Sequence, residues 1–468
     1  MAGEKRYSVK KSVGNNRKND QKSNKDKTKS YQMNDRRKNF LNANKEKPES
    51  YKFEYKHTVK KIKENCPAAA DNRTAGERNK MERRILFKQT ADACPYTKKC
   101  GGCRYQGLSY QEQLKIKQSH MMKLLGKYGK VSPIIGMEKP EHYRNKVHAV
   151  LGKDRKGNII SGTYEAHSHK LVPVQHCMIE DEKAQEIIAT IRDLIKSFKL
   201  YIYDEDLGTG LFRHVLIRRG FMTGEIMVVL VTASPVFPGR NNFVKALMEK
   251  HPEITTIVQN INDKKTSMVL GEREKVLYGK GFIRDVLCGK IYRISSKSFY
   301  QVNPVQTEKL YETAIRFANL TGKERVLDAY CGIGTIGMSA SDKAGSVIGV
   351  ELNGDAVYDA HENLKENHIS NMTVRQGDAG RFMQEMTARG EKIDVVFMDP
   401  PRTGSDRNFL GALLKTSPER IVYISCGPDT LARDLGELVK GGYHVKAIQP
   451  FDLFPYTEHT ENCVLLEK

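Results

Sequence analysis

At 468 residues the chain has room for two or three domains and a large core. With 39% apolar and 29% charged residues it reads as a globular protein with a polar segment, and no run of about 18 apolar residues offers a membrane span. The formal charge of +22 directs attention to polyanionic partners, while the polar opening "MAGEKRYSVK" lacks the apolar stretch of a signal peptide, so a cytoplasmic location is expected.

Residues 1–85 are expected to form a disordered basic tail. Within 1–64 alone, 20 Lys and Arg face 8 Asp and Glu, with little apolar periodicity. Such a tail is attracted to phosphate backbones or is simply solvated, and no residue in it specifies a sequence. Nine cysteines follow the chain at 66, 94, 100, 103, 177, 288, 331, 426 and 463. "CPYTKKCGGC" groups Cys94, Cys100 and Cys103, and "VQHCMI" offers Cys177 as a fourth sulfur. In a reducing compartment such a cluster suggests a metal, and four thiolates suit zinc or a four-iron cluster equally. Cys66, Cys288, Cys331 and Cys463 are read as free or packing thiols.

"SYQEQLKIKQSHMMKLLGKYG" predicts a helix over 109–129 that packs on the catalytic domain, since Leu114, Met121, Leu124 and Leu125 recur at helical spacing. Between 142 and 290, short apolar runs separated by turns predict a mostly antiparallel β domain with one or two helices, such as 180–198. The whole central part, 86–290, is expected to be β-rich and to carry the metal. From 291 to 468 the texture changes. Apolar strands recur every 20 to 40 residues with helical stretches between them, for example 353–368 and 429–440. This pattern predicts an α/β, doubly wound, mainly parallel sheet whose ligands sit at the carboxyl ends of the strands.

Two constellations fall at those ends. In "VLDAYCGIGTIG" a strand runs into a glycine loop with Gly332, Gly334 and Gly337, where a ligand can approach the backbone. Glu351 closes the next strand, placed to take both hydroxyls of a ribose, and Asp378 follows the third, in reach of an adenine amino group. No second nucleotide-binding half and no phosphate-binding lysine are seen, which disfavours NAD and ATP. This order of motifs resembles class I, Rossmann-like S-adenosylmethionine-dependent methyltransferases. The second constellation is "MDPPRTG" with Asp399, and "IVYISCGPDT", where Cys426 stands at a strand tip before a glycine–proline turn. A thiol so placed is there to be reached. Carbon 5 of a pyrimidine is a poor nucleophile until a thiolate adds at carbon 6, after which it can accept a methyl group and a base must remove its proton. Glu461, in "HTENCVLL", supplies a carboxylate at the start of a strand that can return beside the cysteine.

"SFYQVNP", "DAYCGIGTIG", "DPPRTG", "SCGPDTLARDL" and "HTE" together resemble the RNA 5-methyluridine methyltransferase family, over roughly residues 86–468. The resemblance implies Cys426 as nucleophile, Glu461 as base, and Gln301, Tyr330, Glu351 and Asp399 around the cofactor and target base. It departs at Gly427, where the family often has Asn, and in the missing pattern of an N-terminal β-barrel. The cysteine spacing is similar to that of the family's ribosomal RNA branch, which implies a [4Fe–4S] cluster, with zinc as the alternative. The expectation is therefore a monomeric enzyme that methylates uridine C5 in 23S ribosomal RNA through a covalent Cys–C6 adduct. The competing readings are a transfer RNA uridine-C5 enzyme, an RNA cytosine-C5 enzyme, or a non-catalytic RNA-binding protein.

Overall fold

The first helix among the described residues forms because its cap is written into the sequence. Ser109 accepts from the Glu112 N–H and Glu112 reaches back to the Ser109 N–H, a capping box that starts α1 (Tyr110–Leu125). In the computed structural model, residues 94–166, 168–266 and 268–468 are described; the expected basic tail and Cys66 lie outside them.

The apolar runs that follow build a seven-stranded sheet from β1 (Lys146–Lys153), β2 (Ile159–Tyr164), β3 (Leu171–Pro173), β4 (Phe212–Arg219), β5 (Ile226–Thr232), β6 (Ile254–Ile261) and β7 (Arg273–Tyr278). Their order is β3-β2-β1-β4-β5-β6-β7. Two helices accompany the sheet, α2 (Glu182–Ser197) and α3 (Arg240–Lys250). The sheet is mixed rather than purely antiparallel: β5 and β6 pair in parallel, with α3 as the crossover that such a pair requires. Ile187, Ile191 and Ile195 of α2 share a core with Phe243 and Leu247 of α3 and with Val228 and Leu230 of β5.

A two-stranded hairpin, β8 (Phe282–Leu287) and β9 (Lys290–Ser295), leads to α4 (Pro304–Ala318). The second large sheet then forms from β10 (Arg325–Ala329), β11 (Ser346–Glu351), β12 (Met372–Gln376), β13 (Val395–Met398), β14 (Arg420–Ser425), β15 (His444–Phe451) and β16 (Glu461–Glu467). Its order is β12-β11-β10-β13-β14-β16-β15, parallel through β14, with β16 antiparallel to both of its neighbours. Between the strands run α5 (Thr335–Ser341), α6 (Gly354–Glu366), α7 (Ala379–Ala388), α8 (Arg407–Thr416) and α9 (Pro428–Lys440). The central strands β13 and β14 are continuously apolar because both faces are covered. In β13, Val395 and Phe397 enter the core that holds Leu310 of α4, while Val396 and Met398 enter the core that holds Phe409 of α8. That second core also takes Met121 and Leu125 of α1, and Tyr128 just beyond that helix donates its hydroxyl hydrogen to the Ala432 carbonyl of α9 at 2.6 Å.

The result is an α/β, Rossmann-like methyltransferase fold with two mixed sheets. Strand order reverses direction between β10 and β13, so the crevice at their carboxyl ends is where such a sheet binds ligands. Among the described residues no helix is long and apolar enough to cross a membrane.

Candidate functional site

The glycine loop leaves β10 through alternating left-handed residues: Tyr330 at φ +63°, Gly332 at +56° and Gly334 at +86°. For a tyrosine this conformation costs of the order of 1–3 kcal/mol and persists only where the surroundings impose it. Tyr330 packs its ring 5.2 Å from that of Phe409, and burial pushes its hydroxyl up to about 12. A side chain added at Gly332 would meet nothing within 4 Å, so the space in front of it is open to a ligand. The Gly332 N–H donates to Glu351 Oε2 at 3.0 Å, and the other carboxylate oxygen accepts from the Asn353 N–H at 2.7 Å. Both bonds orient the Glu351 carboxylate toward the loop. Gly337 lies deeper, its N–H donating to Asp328 Oδ2 at 2.7 Å. The other oxygen of Asp328 is buried without a partner, and burial pushes this carboxyl up to about 7. Asp378 caps α7, its Oδ1 accepting from the Arg381 N–H at 2.8 Å, which leaves its second oxygen available. An open glycine turn, an oriented carboxylate and a capping aspartate in sequence fit an adenosyl cofactor with its ribose on Glu351.

The second half of the site is made by strand register. Ser425 of β14 pairs with Asn462 of β16, so one step further Cys426 comes opposite Glu461. Pro428 occupies the first turn of α9, where its missing N–H is harmless, and this fixes the turn that ends β14 at the thiol. Cys426 is half-buried. Burial, then the Glu461 and Asp399 carboxylates, push its thiol up to about 11, while Arg402 pulls it down. Glu461 is 4% exposed; burial and Asp399 push it up to about 8, again opposed by Arg402. Desolvation alone pushes Asp399 up to about 7. Three acidic groups therefore crowd one spot with one guanidinium against them, an arrangement that perturbs pKa values as acid–base sites do.

Gln301 lies in the loop between β9 and α4 and is 8% exposed. This loop is held at several points. Asn145 donates its side-chain amide to the Gln301 carbonyl at 3.1 Å and its backbone N–H to Val302 at 3.0 Å. Arg218 of β4 donates to the carbonyls of Ser296 and Ser298 at 3.1 and 2.5 Å. Arg402, Asp328 and Asn145 received no role from sequence. Arg402 follows the Asp-Pro-Pro turn and was readable from that position alone; Asn145 carries no signal in its neighbourhood.

The expected metal cluster does not form. Cys94, Cys100, Cys103 and Cys177 line one cavity of about 990 Å³, yet among the described residues no group of three or more His, Cys, Asp or Glu is placed to hold a metal ion. Burial raises the thiol of Cys100 and pushes Cys103 up to about 11 and Cys177 up to about 12. With no such group among the described residues, the expected [4Fe–4S] cluster, or zinc in its place, is not supported, and the metal-bearing character expected of the β-rich part is corrected accordingly. Cys331 and Cys463 sit in the core, and Cys288 packs at its edge.

Comparison with known proteins agrees with the geometry. A family model described as tRNA (uracil-5-)-methyltransferase matches residues 109–468. An uncharacterised RNA methyltransferase of Halalkalibacterium halodurans is 42% identical over 379 residues, covering 80% of this chain and 82% of that protein. One from Clostridium acetobutylicum is 42% identical over 387 residues, covering 81% and 84%. Among solved structures, the Pyrococcus abyssi tRNA (uracil-54, C5)-methyltransferase in complex with S-adenosyl-L-homocysteine superposes with a TM-score of 0.67 at 28% identity, over 78% of this chain and 86% of that one. The family model and this structure are both described by transfer RNA. The expected 23S ribosomal RNA substrate, and the iron–sulfur branch that suggested it, are thereby overturned. The chain belongs to the tRNA (uracil-5-)-methyltransferase family and is an RNA (uracil-C5-)-methyltransferase.

Proposed function

We propose that this enzyme methylates carbon 5 of a uridine in transfer RNA, with Cys426 as nucleophile and Glu461 as base. The observation that carries this reading is the register that sets Cys426 opposite Glu461 at the carboxyl end of the sheet, beside Asp399 and Arg402. The transfer RNA substrate is supported by the description of the matching family and by the solved Pyrococcus abyssi relative. S-adenosylmethionine supplies the methyl group from its sulfonium and departs as the thioether; Glu351, Asp378 and the Gly332–Gly334 turn would hold it.

The residues of the chain do the rest. The Cys426 thiol gives its proton to water and its sulfur forms a bond to carbon 6, moving the ring electrons onto carbon 5 and the carbonyl oxygen. Carbon 5 then takes the methyl group. Glu461, as carboxylate, removes the carbon 5 proton; the electron pair re-forms the ring double bond and expels the Cys426 thiolate. Arg402 favours the ionised form of both groups, and Gln301 and Asp399 orient the base. We further take residues 86–290 as the β-rich part and residues 291–468 as the catalytic part.

Incubation of unmodified transfer and ribosomal RNA with deuteromethyl S-adenosylmethionine, followed by nucleoside mass spectrometry, tests the reading. Labelled 5-methyluridine in transfer RNA is expected, and Cys426→Ala abolishes it while cofactor binding persists. Label in 5-methylcytidine, or turnover by the alanine variant, overturns it.

A further inference from the structure

Between Phe451, where β15 ends, and Glu461, where β16 begins, residues 452–460 form neither helix nor strand. A free loop would leave Glu461 poorly aimed. This one is held from outside. Lys117 of α1 is 1% exposed and sets its ammonium 2.6 Å from Asp452 Oδ1, 3.1 Å from the Phe454 carbonyl and 2.9 Å from the His459 carbonyl. Each of its three N–H donors therefore has an acceptor. Gln113, one turn earlier on the same buried face, accepts from the Tyr456 N–H at 2.9 Å. The Arg104 and Tyr105 N–H groups both donate to the Tyr456 carbonyl at 2.9 Å. Tyr456 itself stands at φ +67°, a strained conformation for an aromatic residue that needs such over-determination.

Stability alone does not account for this arrangement. The buried face of α1 reads Gln113, Lys117, Met121 and Leu125, and an apolar residue at 117 would bury at least as well. Taking an ammonium and a carboxylate out of water offsets most of what their attraction returns, so a buried pair is weak support for a fold. Burial does lower the Lys117 pKa, against the pull of Asp452. What the lysine adds is a fixed point for a loop more than 300 residues away in sequence.

We propose that Lys117 is a positioning residue for the Glu461 base: through Asp452 and the Phe454 and His459 carbonyls it sets the 452–460 loop, and with it the direction of the Glu461 carboxylate. This rests on the reading of Glu461 as the group that takes the carbon 5 proton. Proton removal comes after thiol addition and methyl transfer. Loss of the tether therefore slows the last step and spares the first two, so methylated RNA stays bonded to Cys426.

The test follows an unmodified transfer RNA transcript and tritiated S-adenosylmethionine with Lys117→Met, Glu461→Gln and the native enzyme. For Lys117→Met we expect cofactor affinity within twofold of native, release of methylated RNA at least tenfold slower, and a labelled RNA–protein complex that survives denaturing gels. Lys117→Met/Asp452→Asn removes the stranded carboxylate, recovers thermal stability and keeps the slow release; it carries the test if the single variant does not fold. Native release rates in a folded variant overturn the inference, as does lost turnover without the trapped complex. If Glu461→Gln traps the complex and Lys117→Met does not, the inference fails while the role of Glu461 stands. If Glu461→Gln releases product at the native rate, the role of Glu461 fails and takes the inference with it.

Discussion

Replacing Glu461 by Gln should stabilise the protein as the pH rises, while removing its activity. In the folded chain this carboxyl is 4% exposed and burial moves its pKa from 4.5 to about 8. The folded state thus holds a proton that the unfolded state gives up, and the stability it contributes is fully present below 4.5 and lost as the pH climbs through about 8. Each pH unit in that window weakens folding by about 1.4 kcal/mol, so at pH 7 the carboxyl lowers stability by roughly 3 kcal/mol relative to an uncharged isostere. Glutamine has the same shape as the protonated acid and ionises in neither state. The two proteins should therefore melt almost together near pH 5, and the variant should gain on the native enzyme up to pH 8.5 and then level off. Urea midpoints measured at half-unit steps from pH 5 to 9 give the curve. A variant no more stable than native at pH 8.5, or a difference that does not change with pH, refutes the reasoning.

Two further outcomes follow from the same geometry. Arg402 pulls both Cys426 and Glu461 toward their ionised forms, so Arg402→Ala raises both pKa values and moves the alkaline rise of the single-turnover pH–rate profile to higher pH. A profile with an unmoved midpoint counts against it. Glu351→Ala frees the Gly332 and Asn353 N–H groups and unpins the cofactor turn; titration calorimetry with S-adenosylhomocysteine should show affinity reduced about tenfold or more, equivalent to about 1.4 kcal/mol, and an unchanged Kd would count against this assignment.

How much of this could be read in advance varies by element. The doubly wound sheet was legible because β13 and β14 are buried on both faces and so write themselves as unbroken apolar runs, "VVFM" and "IVYIS". The β5–β6 parallel pair was not, since an apolar strand carries no mark of its partner's direction. The cysteine cluster misled because spacing along a chain does not say whether the fold brings the four sulfurs into one coordinating group, and among the described residues it brings no three such ligands together. Lys117 was invisible for the opposite reason: in "QEQLKIKQSH" it is one polar residue among many, and only the fold reveals that it faces inward.

The placement of β16 between β14 and β15 has a consequence for how the enzyme is made. β14, α9 and β15 follow one another in sequence and run in the directions of a strand–helix–strand unit, so in a collapsing chain β15 can dock directly on β14. That shortcut closes the gap that β16 must fill and leaves Glu461 outside the sheet. Refolding that passes through it has to break one strand pairing before the correct one can form, a rearrangement between non-local neighbours that is slow by nature. Insertion of β16 between β14 and β15 is also the step that brings Glu461 opposite Cys426.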